Sequence, residues 1–209
     1  MPFIKHFGLN IVEKPSGLKL TRENYIEKII FKDSSLKKFF TDPIIEKHTK
    51  DCLYNYDQNM QYFRSLSHED FNEALKNVVS KIGSFEEITD INSVNGKSGY
   101  YMMVLDEYAQ VYIGTSHDIK KRIQQHWRMQ MYFDRMLFGT KENSILSINS
   151  FRALDTTRIF VFLTPNTFTL ENKIMKQMDH IYLLNRTAGG LLNGLAEAIA
   201  RGKTRDLSI

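Results

Sequence analysis

The sequence predicts an α+β fold, in which a mainly helical first half precedes a second half built on a small sheet. Apolar residues recur at helical spacing through residues 1–95, whereas residues 96–209 contain three short apolar runs of strand length. A polar stretch, residues 88–98, separates these patterns, and we place the domain boundary there. The expected second domain is a three-stranded antiparallel or mixed sheet flanked by helices.

Composition excludes several classes of protein. The chain has 209 residues, of which 42% are hydrophobic, too many for a disordered protein. Its single cysteine, Cys52, cannot form a disulfide framework. The longest apolar runs are far shorter than the roughly 20 residues needed to cross a bilayer. We therefore expect a soluble, cytoplasmic protein with no membrane partner.

The positive charge is concentrated in the second half. The whole chain carries a net charge of +4. Residues 1–95 hold 13 basic and 14 acidic side chains, a net of −1, which leaves 15 basic and 10 acidic side chains, a net of +5, for residues 96–209. Such an excess suits a polyanionic partner such as DNA, although ordinary surface solvation explains it equally well.

Capping residues predict the helices of the first half. Thr21 can cap a helix, Pro43 is expected in the first turn of the next one, and Ser67 begins a third that ends at Gly83. Residues 18–20 are expected to form a short strand. The first half also holds aromatic clusters, which we expect to pack in the core or to form the surface of a homodimer.

The second half predicts the order β-β-α-β-α. Residues 100–105 and 110–113 should form a hairpin, and residues 158–163 a buried third strand. Ser116 or Asp118 can cap a helix that runs to about Met136. Thr169 can cap a last helix that continues to Tyr182.

A series of polar and glycine residues follows this predicted framework. In chain order, the series is Gly99-Tyr100-Tyr101, Tyr112-Ile113-Gly114, Arg122, His126 and Glu171. The series resembles the GIY-YIG nuclease family, whose defining motif has two short strands that end in GIY and YIG. The second motif matches in full. In the first motif, Tyr100 stands where the family has an apolar residue. The resemblance covers residues 99–193.

The two motif tyrosines suit the hydrolysis of a phosphodiester bond. Tyr101 lies eleven residues before Tyr112, so both can project from neighbouring strands toward one site. One phenol can activate water while the other hydrogen-bonds the phosphate, and the sequence does not decide which is the base. Taken singly, each is more typical of a tyrosine packed in a sheet.

Arg122 and His126 lie one helical turn apart on the same face. A guanidinium can bind two phosphate oxygens and stabilise the charge of a pentacovalent transition state. The resemblance implies that Arg122 is the family's arginine and that His126 aids proton transfer. The alternative is that residues 120–122 form a solvated, basic helix face.

The resemblance implies that Glu171 is the single metal-binding glutamate, a ligand for Mg²⁺ or Mn²⁺. In the first turn of a helix, a glutamate is also favoured by the helix dipole alone. The family's closing asparagine matches Asn185, which would orient the site by hydrogen bonding. Asn193 is the rival, and it is also typical of a turn.

The activity that the resemblance implies is divalent-metal-dependent hydrolysis of DNA. We expect an endonuclease of phage, mobile-element or restriction type that leaves 5′-phosphate and 3′-hydroxyl ends. The alternative is a catalytically inactive DNA-binding module with the same fold. The role of residues 1–95 stays open.

Overall fold

The computed structural model describes residues 3–13, 15, 17–27, 30–167 and 169–186, and it has the predicted α+β composition. The strands are β1 (Phe3–His6), β2 (Leu9–Val12), β3 (Glu86–Ile88), β4 (Gly99–Leu105), β5 (Gln110–Ser116) and β6 (Arg158–Leu163). The α-helices are α1 (Arg22–Tyr25), α2 (Asp42–Ser65), α3 (His68–Ile82), α4 (Ile119–Arg128) and α5 (Glu171–Met175). None of the helices among these residues is long and apolar enough to cross a membrane.

The main sheet has four antiparallel strands in the order β3-β6-β4-β5, so the prediction of three strands was wrong. The β4-β5 hairpin and strand β6 are as predicted. The additional strand, β3, lies in the first half and pairs Glu86 with Val161 and Ile88 with Ile159. Two of its three residues are glutamates, so β3 lacks an apolar pattern and is held by its pairing with β6.

A second, two-stranded sheet near the start of the chain was not predicted. Strands β1 and β2 pair through a two-residue turn in which Phe7 and Gly8 both have positive φ, 44° and 75°. This is the conformation of a tight hairpin turn, but Phe-Gly is not its usual sequence. The predicted strand at residues 18–20 does not form.

Capping explains the helices of the first half. Thr21 caps α1, which ends after one turn, and Pro43 lies in the first turn of α2. Helix α3 begins after Ser67, whose side chain accepts the Asp70 N–H, and it ends at Gly83 in the left-handed conformation. These boundaries confirm the predicted starts.

Both helices of the second half are shorter than predicted. Helix α4 is capped by Asp118 but ends at Arg128, not near Met136, because the following segment packs on the first half. There the Phe133 N–H donates to the Ile30 carbonyl. Helix α5 ends at Met175, and Asp179 caps a separate 3₁₀ turn, which ends the continuous helix expected to Tyr182.

The core extends across the predicted domain boundary. Phe63 of α2 packs against Tyr108 and Phe151, with ring centroids 5.7 and 6.5 Å apart. The aromatic clusters of the first half comprise Phe39, Phe40, Tyr54, Tyr56, Tyr62 and Phe63, and of these Tyr56 and Phe63 are buried. Other members, Phe39 and Tyr54, are exposed. The homodimer stays a prediction.

Strand β4 lies in the middle of this core and is buried along its whole length. Its alternate side chains face opposite sides of the sheet. We call these the Tyr101 face, which packs on α2 and α4, and the Tyr100 face, which packs on α3 and α5.

Candidate active site

Two tyrosines and a histidine meet on the Tyr101 face. In the register of β4 and β5, Tyr101 pairs with Gly114 and Met103 pairs with Tyr112, so the two tyrosines are diagonal neighbours. Their ring centroids lie 6.2 Å apart. His126 of α4 lies over both, 6.1 Å from the Tyr101 ring and 5.0 Å from the Tyr112 ring.

The glycines of the two motifs permit close approaches. A Cβ on Gly114 would lie 2.5 Å from the Tyr101 hydroxyl, so only glycine lets the phenol cross β5 at this point. A Cβ on Gly99 would lie 2.1 Å from the Phe162 carbonyl oxygen of β6. Gly99 also has a φ of 153°, which other residues rarely adopt.

Tyr101 and His126 form a hydrogen-bonded chain with Asn149. The Tyr101 hydroxyl lies 2.9 Å from His126 Nε2, and His126 Nδ1 lies 2.6 Å from Asn149 Oδ1. Because an amide oxygen only accepts hydrogen bonds, the proton of a neutral His126 resides on Nδ1. Nε2 therefore accepts the Tyr101 O–H.

Sequence analysis missed Asn149. It lies 23 residues after His126, in the short 3₁₀ turn Ile148–Ser150 that Ser147 caps. No motif marks an asparagine in an irregular segment, so only the tertiary fold reveals its partner.

Burial shifts the pKa values of this chain. Burial is the main reason that the pKa of His126 is lowered to about 4; the hydrogen bond with Asn149 opposes this shift, and the positive charge of Arg122 contributes to it. Burial likewise raises the pKa of Tyr101 and of Tyr112, against the effect of Arg122. At neutral pH both phenols are therefore protonated and His126 is uncharged.

Arg122 lies half-buried beside these groups. Its positive charge lowers the pKa of Tyr101, Tyr112 and Glu171, which places all three near its guanidinium. Nη1 makes a 3.3 Å hydrogen bond to Gln125. No salt bridge involves Arg122 in the part of the chain that the structure describes. The guanidinium therefore keeps donors for an anion.

Glu171 is a buried carboxylate, with 6% of its surface exposed. Burial raises its pKa to about 7, and within the described residues Arg122 is the group that opposes this shift. A divalent cation bound to the carboxylate would offset the cost of burying its negative charge. Because no three potential ligand side chains cluster among the described residues, the donor set fits a weakly held Mg²⁺ or Mn²⁺ that keeps water and phosphate oxygens as its other ligands.

Asn185 binds the backbone of β5 and not a side chain of the cluster. Its Oδ1 accepts the Ile113 N–H at 3.1 Å, and its Nδ2 donates to the Ile113 carbonyl at 2.7 Å. The side-chain amide thus pairs with the free backbone N–H and carbonyl groups at the outer edge of β5, next to Tyr112. The rival, Asn193, lies outside the described residues.

We compared the chain with known proteins. No protein-family model, curated protein or solved structure matches it.

Proposed function

We propose that this protein is a divalent-metal-dependent endonuclease of the GIY-YIG type, which hydrolyses phosphodiester bonds in DNA. The observation that carries the proposal is the convergence of five polar residues in one place from distant points of the chain. They are Tyr101, Tyr112, Arg122, His126 and Glu171. Buried ionisable groups with shifted pKa values are typical of catalytic sites.

Tyr101 is the better candidate for the base, because its hydroxyl contacts a proton acceptor. As water attacks the phosphorus atom, the Tyr101 oxygen takes a proton from the water and passes its own proton to His126 Nε2. The P–O3′ bond breaks in the same displacement, and the leaving 3′ oxygen takes a proton from solvent to give the 3′-hydroxyl end. No free phenolate forms, so the raised pKa of Tyr101 does not block the step. The bound phosphate would raise the low pKa of His126 and so favour proton uptake.

The remaining groups act on the phosphate. The guanidinium group of Arg122 can donate two hydrogen bonds to the phosphate oxygens, which stabilises the charge of the transition state. The Tyr112 hydroxyl can hydrogen-bond a further oxygen. A cation held by Glu171 would supply neutralising charge to the scissile phosphate. Asn185 holds the β5 backbone that carries Tyr112.

Exposed lysines lie next to the cluster and favour a polyanionic substrate. The Lys97 carbonyl accepts the Ile119 N–H, which places Lys97 at the start of α4 beside Lys120 and Lys121. Lys97 and Lys121 are exposed, and no salt bridge involves any of the three within the described segments. DNA phosphates would be attracted to this end of the helix.

A plasmid-nicking assay with Mg²⁺ or Mn²⁺ tests the proposal. We expect Glu171→Gln and Arg122→Ala each to reduce the cleavage rate by about 10²–10³-fold, because each removes charge stabilisation from the transition state. The matched controls are Glu107→Gln and Arg22→Ala, two residues in exposed salt bridges. These controls should cleave like the wild type.

Two outcomes would contradict the proposal. If Glu171→Gln and Arg122→Ala cleave as fast as the wild type, the site is wrong. If the wild type binds DNA tightly but cleaves no plasmid with either metal, the protein is a binding module instead.

A further inference from the structure

Tyr100 is the residue at which the first motif departs from the family pattern. It is fully buried on the Tyr100 face, and its ring packs 5.8 Å from the ring of Phe162. An aliphatic side chain could fill this apolar position, so packing alone does not explain a phenol here.

The Tyr100 hydroxyl bonds to two points of the segment that connects β6 to α5, Asn166 and the last residue, Leu170. It donates to the Asn166 carbonyl at 2.9 Å and accepts the Leu170 N–H at 2.9 Å. It also lies 3.4 Å from the Thr169 hydroxyl. One buried hydroxyl thereby joins the central strand of the sheet to the residue that precedes Glu171.

Apolar packing of Ile174 and Met175 holds α5 on the sheet, but it does not by itself orient the first residue of the helix. Helix α5 has five residues, and Leu170 at its start provides no side-chain cap. So short a helix has little stability of its own. Among the described residues, no hydrogen bond orients the Glu171 carboxylate.

We propose that Tyr100 is a positioning residue, whose hydroxyl fixes the start of α5 and so holds the Glu171 carboxylate in the site. The expected effect of this anchor on metal affinity rests on the proposed function. Tyr100 touches neither the cation nor the phosphate and acts through the Leu170 backbone. The phenol thus gives this chain an anchor that an apolar residue in the first motif cannot provide.

Tyr100→Phe tests the anchor, with Tyr108→Phe as its matched control. Tyr108 is also a buried tyrosine, and its hydroxyl donates to Asp155 at 3.0 Å. In metal-free protein, hydrogen exchange of the Leu170 and Ile174 amides should accelerate about tenfold in Tyr100→Phe, as the loss of about 1–1.5 kcal/mol of hydrogen bonding implies. It should stay unchanged in Tyr108→Phe. Unchanged exchange at Ile174 in Tyr100→Phe would overturn the inference, whether or not the protein cleaves DNA.

Metal binding gives the second measurement. The Mn²⁺ dissociation constant, followed by the paramagnetic resonance of free Mn²⁺, and the Mg²⁺ concentration for half-maximal nicking should both rise about tenfold in Tyr100→Phe. The nicking rate at saturating metal should remain near that of the wild type. If both quantities equal those of the wild type, or if Tyr108→Phe raises them equally, Tyr100 has only a structural role. By contrast, equal cleavage by Glu171→Gln and the wild type would reject Glu171 as the metal ligand of the proposed site and leave the exchange result standing.

Discussion

The two faces of β4 show how one strand serves two purposes. On the Tyr100 face, Met102 and Val104 pack against apolar side chains of α3 and α5, and the Tyr100 hydroxyl has hydrogen-bond partners. On the Tyr101 face, burial shifts the pKa of His126 away from its usual range, and it does the same to Glu171 of α5 near Arg122. The first arrangement stabilises the fold. The second destabilises it, as expected where a site is organised for chemistry.

The same substitution on the two faces should therefore have different effects on catalysis. Tyr101→Phe removes the hydroxyl that contacts His126, so we expect the nicking rate at saturating metal to fall by about 10²–10⁴-fold. Tyr100→Phe should leave that rate near the wild-type value. Equal losses in the two variants would show that the faces do not divide the roles in this way. Single-turnover nicking at high Mg²⁺ measures both.

Glu171→Gln should make the metal-free protein more stable at alkaline pH. The Glu171 pKa is 4.5 when unfolded and about 7 when folded, so the carboxyl favours folding below pH 4.5 and loses that contribution as the pH rises through 7. Glutamine has no such dependence. We expect the free energy of unfolding of the variant, relative to the wild type, to be about 2–3 kcal/mol higher at pH 8 than at pH 5. Urea denaturation in EDTA measures it, and a pH-independent difference would contradict it.

Gly114→Ala should destabilise the Tyr101 face by overpacking. The added methyl would meet the Tyr101 ring at 2.5 Å, and we expect a loss of about 1–3 kcal/mol in the free energy of unfolding. Replacing Tyr101 with valine should relieve most of this loss. Urea denaturation of the wild type, the two single variants and the double variant measures this in a double-mutant cycle. Additive effects would mean that the two residues do not clash.

Asn149→Ala should have the smallest effect. It frees the His126 ring to rotate or to change tautomer, and we expect a nicking rate about tenfold lower, equivalent to one hydrogen bond.

Asn149→Asp keeps the acceptor and should raise the His126 pKa, because a negative charge favours the charged ring. The acidic limb of the pH–rate profile should then move to higher pH. Asn143→Ala, in a turn with Thr140, is the control. An unshifted profile in Asn149→Asp would exclude His126 from the proton chain.

Local signals predicted much of the fold. The cap at Ser67, the glycine stop at Gly83 and the apolar runs of β4, β5 and β6 depend on neighbouring residues, so a sequence pattern carries them. Helix lengths in the second half were overestimated. The apolar residues after Arg128 and Met175 pack on distant parts of the chain and do not continue a helix.

Residue types and spacing by themselves determined the α+β class, the hairpin and the order of the motif residues. Only the tertiary structure decided the pairing of β3 with β6, the partnership of Asn149 with His126, and the bond between Tyr100 and Leu170. These contacts join residues 23 to 75 positions apart, as the pairs 126/149, 100/170 and 86/161 show. Periodicity and capping act within a few residues, whereas such pairs form only when the whole chain has folded around β4.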